Sequence, residues 1–105
     1  MAKNINAEAV KMLADVPFEY VFYLNDGRIL KNMENLRDVL YSMSDELFAY
    51  HVNAEKNDFS KWVIDIIVDE KLAKDLFRAK DKMQAFKAVS QRVAFLKGKL
   101  PYTHH

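Results

Sequence analysis

The densest group of side chains able to do chemistry is the run His51-Val52-Asn53-Ala54-Glu55-Lys56-Asn57-Asp58-Phe59-Ser60-Lys61-Trp62. An imidazole oriented by a carboxylate is half of a general-base pair. His51 falls at the end of one expected helix, and Asn57 and Asp58 at the start of the next. Antiparallel packing of the two would set the imidazole beside the carboxylate. A working site needs a nucleophile or a metal as well. Ser60 is the nearest hydroxyl, but it sits in a first helical turn, where hydroxyls face solvent or backbone. A metal would need His51, Asp58 and a third ligand such as Glu55 or Asp69, and no His-Glu-x-x-His or comparable spacing is present. The competing reading is architectural. Asp58 caps a helix, His51 is a satisfied core residue, and Asn53 and Asn57 serve the loop backbone. Trp62 belongs to a complete helical stripe, which makes it a core residue before a ligand platform. The architectural reading is the stronger of the two.

Two other groups carry possible function. Lys71, Lys74, Arg78 and Lys82 would share one face of a continuous helix, opposite Leu72 and Leu76. Such a face can hold anions, nucleic-acid phosphates among them. Against that, no base-reading motif is present, no aromatic residue interleaves the face, and Asp75 and Asp81 interrupt it. The aromatic stretch Phe18-Glu19-Tyr20-Val21-Phe22-Tyr23 is bulky on both faces. It suits burial under helices, or an edge that pairs with a second copy in a weak homodimer. With two glycines in the chain there is no Gly-rich phosphate loop.

The elements that must position these residues fit a single domain of 105 residues, half of them apolar and 12% aromatic. Two glycines and two prolines exclude a collagen-like or linker composition. The lack of cysteine excludes a disulfide scaffold, a Cys-based zinc site and a Cys nucleophile. Apolar runs stop at five residues, as in Tyr20-Val21-Phe22-Tyr23-Leu24, well short of the ~20 that span a bilayer. No basic region followed by an apolar stretch opens the chain. A cytoplasmic chain without a membrane partner is the expectation. The net charge of +1 hides a split: residues 31–70 carry nine acids and four bases, residues 71–105 nine bases and two acids. Either the two parts attract each other within one fold, or the basic part meets an anionic partner.

The expected organisation is an N-terminal helix over 1–16, a β-hairpin over 17–31, a helical bundle over 32–97 and a tail over 98–105. Asn6 would cap the first helix, with Val10, Leu13 and Ala14 inward, and Pro17 ends it. Phe18 to Leu24 alternate as a strand, Asn25-Asp26-Gly27 turns, and Arg28 to Lys31 return. Asn32 caps a helix with Leu36, Val39, Leu40 and Met43 on one face. Ser44 caps the next, which carries Leu47, Phe48, His51 and Val52. Asn57 or Asp58 then caps the strongest stripe, Phe59, Trp62, Val63, Ile66 and Ile67; the first four of these are expected at the centre of the core. Asp69 caps a helix with Leu72, Leu76 and Phe77 inward. Asp81 with Gln84 resembles a capping box before Phe86, Val89, Val93 and Leu96, and Gly98 ends that helix ahead of Pro101. His104 and His105, native or the remnant of a purification tag, take no part in a site.

The pattern H-V-N-x-x-x-N-D-F-x-x-W over His51 to Trp62 resembles the signature of a small prokaryotic, largely archaeal family of unknown function. Leu24-Asn25-Asp26-Gly27-Arg28-Ile29-Leu30 resembles the family's hairpin turn, Met43 to Phe48 precedes the His as expected, and Asp69-Glu70-Lys71-Leu72-Ala73 resembles its D-E-x-L-A segment. The resemblance spans residues 18–77. It departs at Ile67-Val68, where the family pattern has a Gly next to the Asp. It implies the fold and no activity.

Together these readings give a mainly α fold, a small bundle of about five to six helices with one N-terminal hairpin. The expected function is a non-enzymatic interaction or regulatory module with a protein partner and no cofactor. The alternatives are a nucleic-acid-associated protein using Lys71, Lys74, Arg78 and Lys82, and a small enzyme or metal site at His51 and Asp58.

Overall fold

A computed structural model describes residues 5–100, so the expectations for Pro101, His104 and His105 lie outside the described residues. The fold is mainly helical with one two-stranded antiparallel hairpin near the N-terminus. Helix α1 (Ile5–Leu13) leads through Pro17 into a hairpin, β1 (Phe22–Tyr23) and β2 (Ile29–Leu30). Helices α2 (Met33–Ser42), α3 (Asp45–His51), α4 (Asp58–Trp62), α5 (Glu70–Arg78) and α6 (Lys82–Lys97) follow.

Side-chain caps fix most of the boundaries. Asn32, Ser44, Asn57, Asp69 and Asp81 each accept a hydrogen bond from the backbone N–H three residues on. Each satisfies one of the donors that a helix start leaves without an intrahelical partner. Asp81 accepts from Gln84 N at 2.8 Å, while Gln84 Oε1 accepts from Lys80 N at 2.8 Å. The reciprocal bond therefore reaches one residue further back than in a capping box. The cap between the central helices is Asn57 and not Asp58, which leaves the Asp58 carboxylate for another partner.

Helix α6 is the axis of the molecule, with α1, α2 and α5 packed around it. Leu36 and Leu40 of α2, Leu72 and Leu76 of α5, and Val89, Val93 and Leu96 of α6 are fully buried. Ala9 brings α1 into the same core. Helix α1 is already under way at Ile5, so Asn6 lies within it and is not its cap, and Val10 is exposed.

The hairpin is shorter than the alternation predicts. Pro17 opens a 3-10 turn over Phe18–Tyr20, closed by Tyr20 N donating to Pro17 O at 2.8 Å. This turn replaces the first half of the expected strand and leaves Phe18 and Tyr20 facing solvent. Only Phe22 opposite Leu30 and Tyr23 opposite Ile29 pair. The turn follows the sequence: Gly27 sits at φ 96°, a conformation that side chains resist. Asp26 Oδ1 accepts from Arg28 N at 3.1 Å.

The helix after Asn57 also breaks early. After Trp62 it widens into one π-turn, Val63–Ile67, and ends at Val68 with φ 64°. Val68 N and Asp69 N both donate to Val63 O, at 2.7 and 3.2 Å. This is a Schellman-like closure whose left-handed position usually falls to Gly. Phe59, Trp62 and Val63 lie in the core as expected, but the widened turn leaves Ile66 only half-buried. Gly98 ends α6 in ordinary right-handed geometry, φ −66°, rather than as a left-handed cap.

Candidate functional site

His51 is the last residue of α3 and only 4% exposed. Its Nδ1 lies 2.9 Å from Asp58 Oδ2, the first residue of α4. Its Nε2 accepts from the backbone N–H of Asn25 in the hairpin turn, at 3.1 Å. A backbone N–H can only donate, so Nε2 is the acceptor and Nδ1 carries the proton toward Asp58. The ring is packed edge-on by Phe22 at 5.2 Å and by Tyr50 at 4.9 Å between centroids, and tilted against Phe59 at 5.3 Å. One imidazole thus ties the hairpin, α3 and α4 together.

Asp58 takes a second partner, Lys56 Nζ, at 3.0 Å. Burial pushes its carboxyl up, but the His51 and Lys56 hydrogen bonds and the nearby Lys56 charge outweigh that and hold it below the ordinary carboxylate value. Lys56 also lies over the Tyr50 ring, 4.6 Å from its centroid.

The arrangement resembles the base and orienting acid of a triad, but the position a nucleophile would take is held by Asn25 N–H. Ser60 points elsewhere: its hydroxyl donates to Ala73 O at 2.7 Å and ties α4 to α5. Asp69, weighed as a third metal ligand, is fully buried, accepts from Leu72 N at 3.1 Å and holds Arg92 Nε at 2.7 Å. Among the described residues no three His, Cys, Asp or Glu side chains gather as a metal site.

The remaining residues of the cluster bond to backbone. Asn53 Nδ2 donates to Ala49 O at 3.1 Å, closing the end of α3, and its Oδ1 accepts from Glu55 N at 3.0 Å. Asn57 caps α4 through Ser60 N at 3.0 Å, and its Nδ2 donates to Leu76 O near the end of α5, also at 3.0 Å. Trp62 is 7% exposed, and its indole N–H donates to Tyr20 O at 2.8 Å. That bond holds the 3-10 turn which displaced the expected strand.

The basic stripe does not form. Helix α5 stops at Arg78, so Lys82 belongs to α6. There it donates to Met43 O at 2.7 Å, at the end of α2, and lies 3.7 Å from Asp45. Lys71 is paired with Asp75. Lys74 and Arg78 remain exposed, with no ion pair among the described residues.

The sequence pattern misplaced one aromatic residue. Phe77, expected inward, is 73% exposed. The core face of α5 is Leu72, Ala73 and Leu76, and Phe77 lies one residue, about 100° of arc, beyond Leu76. It lines an open groove of about 570 Å³ between α4 with its π-turn and α5. Ile64 and Ala73 share its apolar lining, Lys74 and Arg78 stand on the α5 side, and Glu70 completes that side. A hydrophobic position followed by a second one in a helix is the only sign of this in the sequence, and it does not say which of the two faces out.

No helix among the described residues is long and apolar enough to cross a membrane. In comparisons with known proteins, no family model, no curated protein and no solved structure matches this chain.

Proposed function

We propose that this protein is a non-enzymatic interaction module that meets a protein partner through the α4–α5 face around Phe77. The observation that carries the reading is Phe77 itself. A phenylalanine 73% exposed beside an apolar groove is surface that the fold itself leaves unburied. The His51 cluster supports the same reading from the other side, because both imidazole nitrogens are engaged in bonds between elements.

A photoreactive phenylalanine analogue at position 77, in the intact chain in its host cells, tests the proposal. A discrete cross-linked adduct at 77, absent when the analogue replaces exposed Lys87, is the expected result. No adduct at 77, or equal adducts at both positions, overturns it.

A further inference from the structure

We infer that the partner is an acidic amphipathic helix that lays its apolar face on Phe77, Ala73 and Ile64 and its carboxylates against Lys74 and Arg78. This inference rests on the proposed interaction role and adds the chemistry of the partner. Charge complementarity argues for it. Around the groove, lysines one helical turn from an aspartate are already neutralised: Lys61 pairs with Asp65 at 3.0 Å, and Lys71 pairs with Asp75. Lys74 and Arg78, by contrast, are exposed and without an ion pair among the described residues. They are four residues apart on one helix, which sets their stems about 6 Å apart along its axis. Two carboxylates at i and i+4 of an opposing helix have the same spacing.

The shape agrees with a helix. Helix α5 has nine residues, about 13 Å, room for two to three turns of a partner laid along it. Ala73, with its small side chain, leaves room for a backbone to approach, while Phe77 and Ile64 supply apolar contact. A nucleic-acid strand fits less well. Only two cations are free there, Glu70 and Asp75 stand near them, and phosphate binding draws on many cations with no apolar floor. A second copy of the chain would bring its own acidic residues, but the ion pairs of α6 already engage Glu34, Asp45 and Asp69 within the fold.

A fluorescein-labelled amphipathic peptide with leucines at i, i+3, i+4 and i+7 and flanking glutamates is the probe, followed by anisotropy with the full chain. The control is the same peptide with lysines in place of the glutamates. The glutamate peptide is expected to bind at least about tenfold more tightly than the lysine peptide and to weaken as salt rises from about 0.05 to 0.5 M. Phe77→Ala, and Lys74→Glu with Arg78→Glu, should each weaken it by about tenfold or more while melting like the parent, since all three side chains are exposed. Equal binding of both peptides, or unchanged binding by Phe77→Ala, overturns the inference. So does tighter binding of a thymidine oligonucleotide that Lys74→Glu with Arg78→Glu abolishes, or a dimer of the chain alone that Phe77→Ala dissociates. A cross-link at position 77 without glutamate-peptide binding removes the acidic partner and leaves the interaction role standing; loss of the cross-link removes the role itself.

Discussion

At the scale of the residue, His51 is held by what each ring nitrogen must do. Asn25 N–H fixes Nε2 as an acceptor, so the proton sits on Nδ1, facing Asp58. Nitrogen-15 spectra of His51 should show this Nδ1–H tautomer, and the Nε2–H form would refute the assignment. His51→Ala strands the Asn25 backbone donor and removes one of the two partners of Asp58, which should cost about 1–3 kcal/mol in denaturant unfolding. The acid limb follows from Asp58. Its folded carboxyl is held below its unfolded value, with burial opposing and the His51 and Lys56 bonds prevailing. Its contribution is therefore complete above the unfolded carboxylate value and is lost as pH falls through the lower folded one. Urea stability should drop below about pH 4, and Asp58→Asn should flatten that drop. Equal acid limbs in parent and variant would refute the role given to Asp58.

At the scale of the element, the caps were legible because an N-cap is a local transaction between a side chain and a backbone N–H three residues away. Asn32, Ser44, Asp69 and Asp81 all took the places their sequence neighbourhoods predict. The contact of His51 with Asp58 was legible for a similar reason, since both lie at facing helix ends. What the sequence hid depends on distant groups. Asn25 reaches His51 through its backbone, which has no residue signature, and the strand at Phe18 yields to a turn whose carbonyl Trp62 takes from 42 residues away. The π-turn was hidden as well, because Ile66 and Ile67 continue a stripe that the backbone no longer follows. The end of that π-turn is where the backbone strain lies. Val68, β-branched and 60% exposed, sits at φ 64°, a region that L side chains of its kind avoid. Its side chain gives up little buried contact, so the backbone term decides the sign. Val68→Gly should raise stability by about 1 kcal/mol, the relief of strain exceeding the added freedom of the unfolded chain. A lower melting temperature for Val68→Gly would show that the turn is not strained or that Val68 holds something in place.

At the scale of the whole molecule, the acidic middle and the basic last third meet inside the fold. Three cations of α6 each reach an acid of residues 31–70: Lys82 lies 3.7 Å from Asp45, Lys97 3.2 Å from Glu34 and Arg92 2.7 Å from Asp69. Much of the charge split is therefore internal, and what is left over on α5 is Lys74 and Arg78. The three pairs should not weigh alike. Lys97 and Glu34 are both substantially exposed, and water screens such a pair to about 0–1 kcal/mol. Asp69 is fully buried and caps α5 with its other oxygen, while the Arg92 side chain is 13% exposed. Removing the guanidinium leaves a carboxylate in the core with no counter-charge, a loss of about 3–5 kcal/mol. That is a large share of the stability of a domain this size. Arg92→Ala should accordingly melt far below the parent, and Lys97→Ala close to it. Arg92 also lies over the Phe95 ring, 5.2 Å from its centroid, so lost packing has to be separated from lost charge. Arg92→Met keeps most of the stem and none of the charge; it should lose nearly as much as Arg92→Ala. If Arg92→Met melts like the parent, the pair with Asp69 does not hold α5 to α6, and the stem alone accounts for the loss in Arg92→Ala.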